Sequence, residues 1–374
     1  MPVGSNQNLP ISGNWTAPPT APGPSGGVTL PWTGWTASAD SVQAGSEANK
    51  VFDSNPGSLW HTLWSPQAAR MPHNLIIDMK KPCLVSGLYY LPRQDGSLNG
   101  TIGNYQVEVC LKEWNWITVA AGTWTSDHTS KQTAFNPEYG RYVRLSAYSE
   151  AQGQNYQWTC AAEVRVLSNA LARDQWTVSA SSQDTVDANK LAQSAVDGDV
   201  SSTWHTVYHG TMDQYPHYFK IDQGRKVAVS GLSYLPRQDG FKEGRIGRYM
   251  IQYSNDQNNW ITAATGTWQD TINSKTAYFS AVIARYFRLV AQSEAGNRGP
   301  WATASEINLI DGTRQLNNFS SMDFATFAMS RGNFIERYLI PKLRILNSAM
   351  EACCQGLAVK IYTSDGGSIA HWEW

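Results

Sequence analysis

The stretch SGLYYLPRQDG at Ser86–Gly96 returns as SGLSYLPRQDG at Ser230–Gly240, with Tyr89 replaced by Ser233. A block this long, written twice, makes the chain two copies of one unit. The register holds on both sides of it. Ile102-Gly103-Asn104-Tyr105 matches Ile246-Gly247-Arg248-Tyr249 at the same offset, and Gly122-Thr123-Trp124 matches Gly266-Thr267-Trp268. Arg141-Tyr142-Val143-Arg144-Leu145 matches Arg285-Tyr286-Phe287-Arg288-Leu289, and upstream Trp60-His61-Thr62 matches Trp204-His205-Thr206. A unit of about 140 residues is an ordinary domain size.

The composition narrows the function. Net charge is −1 and only 16% of residues are charged, which argues against a basic nucleic-acid surface or a polybasic membrane anchor. Sixteen Trp and 17 Tyr exceed what cores alone require and suit the recognition of ring-shaped ligands. No apolar run reaches the roughly 20 residues of a membrane helix. Residues 1–28 are rich in Pro, Gly, Ser and Asn, have no basic start or apolar stretch, and read as a flexible arm without a secretory signal. The first three of the five cysteines, Cys83, Cys110, Cys160, Cys353 and Cys354, lack counterparts in the second copy, so free thiols are expected. No spacing suggests zinc.

Short runs rich in Val, Ile, Tyr, Trp and Thr alternate with Gly, Pro, Asn and Asp turns. Tyr105–Leu111, Trp116–Ala120, Tyr142–Ala147 and Glu163–Leu167 read as strands, as do Tyr249–Ser254, Trp260–Ala264, Tyr286–Ala291 and Glu306–Ile310. The pattern predicts an all-β chain of two tandem antiparallel β-sandwiches of the jelly-roll kind, at residues 29–167 and 168–311. After Asp311 the texture changes. Pro341–Gln355 has helical spacing, and Leu357–Thr363 and Ile369–Trp374 read as strands. Residues 312–374 are therefore expected to form a small helix-plus-hairpin appendage, a candidate oligomerisation segment.

Both repeats resemble the discoidin domain, also called the coagulation factor V/VIII type C domain. They are most similar to family 32 carbohydrate-binding modules of the kind found at the N-terminus of galactose oxidase. Trp60-His61-Thr62, Leu91–Gly96, Asn99–Gly103, Arg141–Leu145 and Ser149-Glu150-Ala151 carry the resemblance, over about residues 32–311. It implies a galactose-type pocket at one end of each sandwich. The implied residues are His61, Trp64, Arg93, Asn99 and Trp158 in the first repeat, and His205, Tyr208, Arg237, Glu243 and Trp301 in the second.

These residue types suit that chemistry. An aromatic ring can cover the C–H face of galactose beside its axial O4, and Arg offers a rigid fork of donors to adjacent hydroxyls. His and Asn can each pair with hydroxyls of either sense. A sugar with its O4 pointing elsewhere leaves a buried polar group unpaired, at about 1–3 kcal/mol. The plainer readings are core aromatics at Trp60 and Trp204, structural ion pairs of Arg93 with Asp95 and Arg237 with Asp239, and a turn-capping role for His61. The second repeat departs at Glu243, which accepts without donating, with Lys242 beside it and Tyr208 where the first has Trp64.

The resemblance also implies a structural calcium or sodium ion in each domain. Its ligands would be the Lys50 carbonyl, Asp53, Asn55, Ser58 and Glu163, and the Ser194 carbonyl, Asp197, Asp199, Ser202 and Glu306. Closely spaced oxygen donors plus a distant carboxylate suit a hard cation. An ordinary Asp/Asn/Gly turn is the alternative.

No nucleophile elbow, phosphate loop or metalloprotease motif is present, and no carboxylate pair suggests a glycosidase, so no catalysis is expected. Asn99-Gly100-Thr101 is a glycosylation sequon on an expected ligand residue. With no signal peptide seen, this favours a cytoplasmic or non-classically secreted protein. The leading expectation is a multivalent lectin for galactose- or N-acetylgalactosamine-containing glycans. It would meet membranes only through glycans, bind no nucleic acid, and form a homo-oligomer through residues 312–374. The alternative is a lipid- or protein-binding adhesion module of the discoidin class.

Overall fold

The computed structural model describes residues 27–112, 115–153 and 157–313, with two further strands at 358–362 and 368–373. The first domain contains β1 (Val28–Thr29), β2 (Thr36–Ala39), β3 (Trp60–His61), β4 (His73–Leu91), β5 (Asn104–Cys110), β6 (Ile117–Thr123), β7 (Lys131–Ala147), β8 (Cys160–Ala161) and β9 (Glu163–Ser168). The second contains β10 (Thr177–Ala180), β11 (Trp204–His205), β12 (His217–Leu235), β13 (Arg248–Ser254), β14 (Ile261–Thr267), β15 (Lys275–Ala291), β16 (Thr303–Ala304) and β17 (Glu306–Asp311). Among the described residues of these domains, helical structure is confined to three 3-10 turns, at Ala48–Phe52, Ala188–Lys190 and Ala192–Ala195. The chain is thus built almost wholly of β-structure, as two sandwich domains. An antiparallel hairpin of β18 (Ala358–Tyr362) and β19 (Ser368–Glu373) matches the two expected tail strands. The expected helix at 341–355 and most of the N-terminal arm lie outside the described residues.

The repeated block sits on the longest element of each domain. β4 pairs with β7 along most of its length. It pairs with β2 through its first half and with β9 through its second. Register shifts between Asp78 and Cys83, and between Val85 and Gly87, mark bulges where the strand can bend across the sandwich. The alternation is strict where one face is wet: Leu75, Ile77 and Met79 are buried, and Asn74, Ile76 and Asp78 between them are partly open. β12 repeats this plan with β15, β10 and β17. The strand reading of Tyr142–Ala147 was therefore too short, since β7 begins at Lys131. The readings from Trp116 and Trp260 began one residue early. Trp116 lies over the Arg144 guanidinium at 4.4 Å, and Trp260 over that of Arg288 at 4.2 Å.

Trp60 and Trp204 are core residues, each 1% exposed. Trp124 stacks on Tyr105 at 3.7 Å and on Tyr90 at 5.0 Å, and Trp268 repeats this with Tyr249 and Tyr234. The glycine of each Gly-Thr-Trp triplet follows from that stack: a Cβ at Gly122 would stand 2.9 Å from the Tyr105 hydroxyl, and one at Gly266 2.6 Å from that of Tyr249. Cys83, Cys110 and Cys160 are free thiols, as expected.

The two domains pack together. Leu84 and Tyr139 of the first form one apolar cluster with Leu235 and Ile310 of the second. Arg173, on the connecting segment, donates to Glu306 Oε2 at 2.6 Å, to Asn308 Oδ1 at 2.8 Å and to the Tyr139 hydroxyl at 3.1 Å. The Lys112 ammonium donates to the Gln238 carbonyl at 2.6 Å, inside the second copy of the repeated block. Glu306 is buried, so removing Arg173 would strand a carboxylate. Breaking such a pair costs about 3–5 kcal/mol. Arg173→Ala is expected to lower the melting transition of the second domain and split it from that of the first in scanning calorimetry. A single unshifted transition would contradict this coupling.

Candidate functional site

Three pieces of backbone meet at one end of the first sandwich. β4 ends at Leu91, and the chain turns into the loop that carries Arg93 and Asn99. β3 brings His61 and pairs it with Cys160 of β8. Trp158 lies on the segment entering β8, and Trp64 on the loop leaving β3. The Cys160 N–H donates to the Gly100 carbonyl at 2.8 Å, so the ribbon holds the Asn99 loop directly. The second domain repeats this, with His205 paired to Thr303 and the Thr303 N–H donating to the Gly244 carbonyl at 2.8 Å. All five expected positions of each repeat therefore lie at one end of their domain.

The arginine geometry is the same in both. Arg93 Nε donates to Asp95 Oδ1 at 2.8 Å, Nη2 donates to Oδ2 at 2.5 Å, and Nη1 donates to the Asn99 carbonyl at 3.1 Å. Arg237 does likewise with Asp239 at 2.8 and 2.7 Å and with the Glu243 carbonyl at 3.0 Å. Guanidinium has five N–H donors and these bonds use three. The ion-pair reading is thus correct and leaves two N–H groups on each arginine. The hydrogen bond from Arg93 holds the Asp95 carboxyl down to about 2. Arg237 is the more enclosed: its side chain is 7% exposed against 16% for Arg93.

The histidines are fixed as tautomers. His61 Nδ1 lies 2.7 Å from the Thr62 carbonyl, and His205 Nδ1 2.7 Å from that of Thr206. A carbonyl only accepts, so Nδ1 carries the proton and Nε2 a lone pair. Burial lowers both imidazole pKa values, more than the carbonyl hydrogen bond raises them. The nearby arginine adds to the depression, and His205 falls to about 4. Both rings are therefore neutral at pH 7.

The aromatic residues flank these groups. Trp64 is 43% exposed with its ring 4.5 Å from that of His61; Tyr208 sits 4.6 Å from His205. Trp158 and Trp301 are half-buried. The loop before each is tied down by a histidine: His73 Nε2 bonds the Gln157 carbonyl at 2.8 Å, and His217 Nε2 bonds that of Pro300 at 2.6 Å. Asn99 Oδ1 accepts from Gln152 at 3.2 Å, which leaves its amide hydrogens to donate.

Several contributors were not assigned roles from the sequence. Glu150, buried, accepts the Gly100 N–H at 2.5 Å, and Glu294 accepts that of Gly244 at 3.2 Å. These glycines have φ of +85° and +81°, a conformation that favours glycine. The second domain adds an ion-pair ladder in which Arg298 bonds Glu294 and Asp270, and Asp270 bonds Arg245. Thr101 and Ser126 stand where Arg245 and Asp270 do, so the first domain lacks it. The Ser-Glu-Ala motif of each repeat was the only sequence signal for any of this.

The proposed cation loops also close on themselves. Ser202 Oγ lies 3.0 Å from the Ser194 carbonyl, 2.7 Å from Asp197 Oδ2 and 2.9 Å from the Asp199 carbonyl. Ser58 Oγ likewise reaches Asp53 Oδ2 and, at 3.2 Å, the Asn55 carbonyl; the Lys50 carbonyl accepts from the Asp53 N–H at 3.4 Å. Two side chains differ from expectation. Asn55 Oδ1 accepts the Gly57 N–H, and Asp199 Oδ1 accepts from Ser201, so these residues turn their carbonyls, not their side chains, toward the serine. Each has been captured by a local Asx turn. Glu163 pairs with Arg165, and Glu306 with Arg173. Burial raises both carboxyl pKa values, and the charges of Asp53 and Asp197 act in the same direction. Glu306 Oε1 is buried with no hydrogen bond among the described residues. An oxygen-only donor set with an orphaned carboxylate oxygen fits a hard cation.

Residues 35–164 and 177–307 match the family model of the F5/8 type C domain. Galactose oxidase of Gibberella zeae is 42% identical over 143 residues, which cover 38% of this chain and 21% of that protein. The A type blood N-acetyl-α-D-galactosamine deacetylase of Flavonifractor plautii is 30% identical over 128 residues, covering 33% of this chain and 16% of that protein. Among solved structures, a family 32 module of Clostridium perfringens in complex with GalNAc-β-1,3-galactose is 31% identical, covers 38% of this chain and 99% of that chain, and has a TM-score of 0.36. The chain spans about a fifth of the length of these curated relatives. The two matches to the domain model occupy more than half of the sequence, and the protein belongs to the F5/8 type C domain family.

Proposed function

We propose that the chain is a non-catalytic, bivalent galactoside-binding lectin, with one site at the end of each sandwich. One observation carries this reading. In both domains an arginine held by an aspartate keeps two N–H donors, beside a neutral histidine with a lone pair on Nε2. Fixed donors and a fixed acceptor next to exposed aromatic surface are what adjacent sugar hydroxyls and a C–H face require. Two relatives of this unit have galactose or N-acetylgalactosamine in their names, which supports the same ligand class. In a glycan array, Arg93→Ala and Arg237→Ala should each remove one component of galactoside binding, and the double variant should remove all of it. Undiminished binding by the double variant would refute the assignment.

The protonation states give the pH dependence. Protonating His205 would turn Nε2 into a donor and place a cation beside Arg237, so affinity falls as pH falls through the folded-state value. That value is about 4. Affinity at the second site, followed by tryptophan fluorescence in Arg93→Ala protein, should be flat from pH 8 to about 5.5 and drop below that. A midpoint near the ordinary imidazole value of about 6.5 would mean that the histidine is not held as described.

In each domain a calcium or sodium ion would be held by Asp53, Ser58, Glu163 and the carbonyls of Lys50 and Asn55, or by Asp197, Ser202, Glu306 and those of Ser194 and Asp199. It would join the early loop to the last strand and neutralise the buried carboxylates. A chelator should then lower the melting temperature of the wild type and leave Asp53→Ala/Asp197→Ala protein unmoved. Melting of the wild type that is the same with and without chelator, and unmoved by calcium or by exchange of sodium for a larger organic cation, would rule the ions out.

A further inference from the structure

The two sites share a scaffold, and besides Tyr208 for Trp64 and the Arg298 ladder they differ at one loop: Ser97-Leu98-Asn99 in the first is Phe241-Lys242-Glu243 in the second. Arginine, aspartate and histidine keep the same bonds in both, so this loop is the change that stands next to the arginine. Phe241 is 62% exposed, and its ring lies 5.1 Å from the Arg237 guanidinium carbon. A phenylalanine this open gains little from burial. Its contact covers one face of the guanidinium and leaves the in-plane N–H groups clear. Ser97 offers no such surface.

Glu243 changes the hydrogen-bonding sense beside the same guanidinium. Its carbonyl accepts from Arg237, and its carboxylate Oε2 accepts the Lys242 N–H at 3.1 Å. Its own N–H and that of Lys242 keep the carboxyl ionised, with Arg237 and Arg298 adding to the effect. It therefore only accepts. Asn99, with one lone pair of its amide oxygen engaged by Gln152, is neutral and keeps both amide N–H groups to donate. The first domain thus presents N–H donors at this position, and the second an acceptor next to an apolar ring.

We infer that the second site selects galactosides carrying an acetamido group at C2, with Glu243 accepting the amide N–H and Phe241 covering the methyl. The first site, with Ser97 and Asn99, takes the unsubstituted sugar. The inference rests on the galactoside reading of both sites. If the two free N–H groups of Arg237 hold O3 and O4, the C2 substituent lies on the next carbon, and the 241–243 loop adjoins the same guanidinium. A 2-hydroxyl could also donate to Glu243 but has no methyl for Phe241. In the first site Ser97 offers the methyl no apolar cover, and Asn99 supplies no carboxylate for the amide N–H.

The test measures each site alone, by calorimetric titration with methyl galactoside and methyl N-acetylgalactosaminide. Arg93→Ala protein, which keeps the second site, should bind the acetamido sugar about tenfold tighter or more, the scale of discrimination available to one small group in a fitted pocket. Adding Phe241→Ser and Glu243→Asn should bring the ratio near one. In Arg237→Ala protein, Ser97→Phe with Asn99→Glu should raise it. Equal binding of the two sugars at the second site, or an exchange that leaves the ratio unmoved, overturns the inference while the lectin reading stands. So does loss of all second-site binding in Arg93→Ala protein whose wild type still binds galactosides. Wild-type protein that binds neither sugar would instead overturn the lectin reading and this inference with it.

Discussion

The fork between an arginine and the aspartate two residues later is the constraint on which each site depends. A free arginine has about 2 kcal/mol of rotamer entropy to lose on meeting a ligand. Asp95 and Asp239 remove much of that freedom before any ligand arrives, by engaging Nε and Nη2 together. The third bond, from Nη1 to the Asn99 or Glu243 carbonyl, ties the guanidinium to the far side of its own loop. The loop and the donor set therefore order each other, and what remains open is two N–H groups in a fixed plane. With Asp95 open to solvent, the Arg93 pair adds little stability; it matters for where it points the guanidinium.

Behind that loop stands a buried acid. Glu150 and Glu294 accept the N–H of the glycine that follows Asn99 or Glu243. Burial raises the pKa of the Glu150 carboxyl, more than the Gly100 N–H lowers it. In the second domain Arg298 pairs with Glu294 directly, so that acid is neutralised by a cation which the described part of the first domain does not supply. The second site is the more braced of the two. Gln94 is exposed, whereas its counterpart Gln238 is buried and has Lys112 of the first domain on its carbonyl.

The fold was legible because it is written twice. Matching positions on either side of the repeated block established the two-domain organisation, and short alternating runs identified β5, β9, β13 and β17. β4 and β12, and the first parts of β7 and β15, were not legible. Lys80-Lys81-Pro82 interrupts the alternation of β4, and only the pairing with β7 shows the strand continuing past the bulge. At the sites, the residue types were readable and their division of labour was not. Arg93 was weighed as either an ion pair or a ligand group, yet five donors allow it to be both. Asn55 and Asp199 were read as side-chain donors, but one-residue spacing to a backbone N–H favours the local turn. Interdomain packing had no signal, since Tyr139 has Ile283 as its counterpart and no repeat pattern marks it.

That packing bears on what two sites in one chain can achieve. Linked sites gain avidity only when the geometry lets both engage at once. A flexible tether would sample many separations, each at low effective concentration. Here Arg173 joins Glu306 and Asn308 to Tyr139, and the apolar cluster of Leu84, Tyr139, Leu235 and Ile310 closes the joint. The separation of the sites is therefore set by the fold. Glu306 is also one of the oxygens proposed to hold the cation of the second domain, so on that proposal one buried carboxylate would serve both the internal order of that domain and its attachment to the first. Under the proposed lectin reading, a chain so joined would favour glycans spaced to its own dimensions over glycans that are merely abundant. On the same reading, the differing loops at Asn99 and Glu243 would let the two ends of such a ligand be read for different groups.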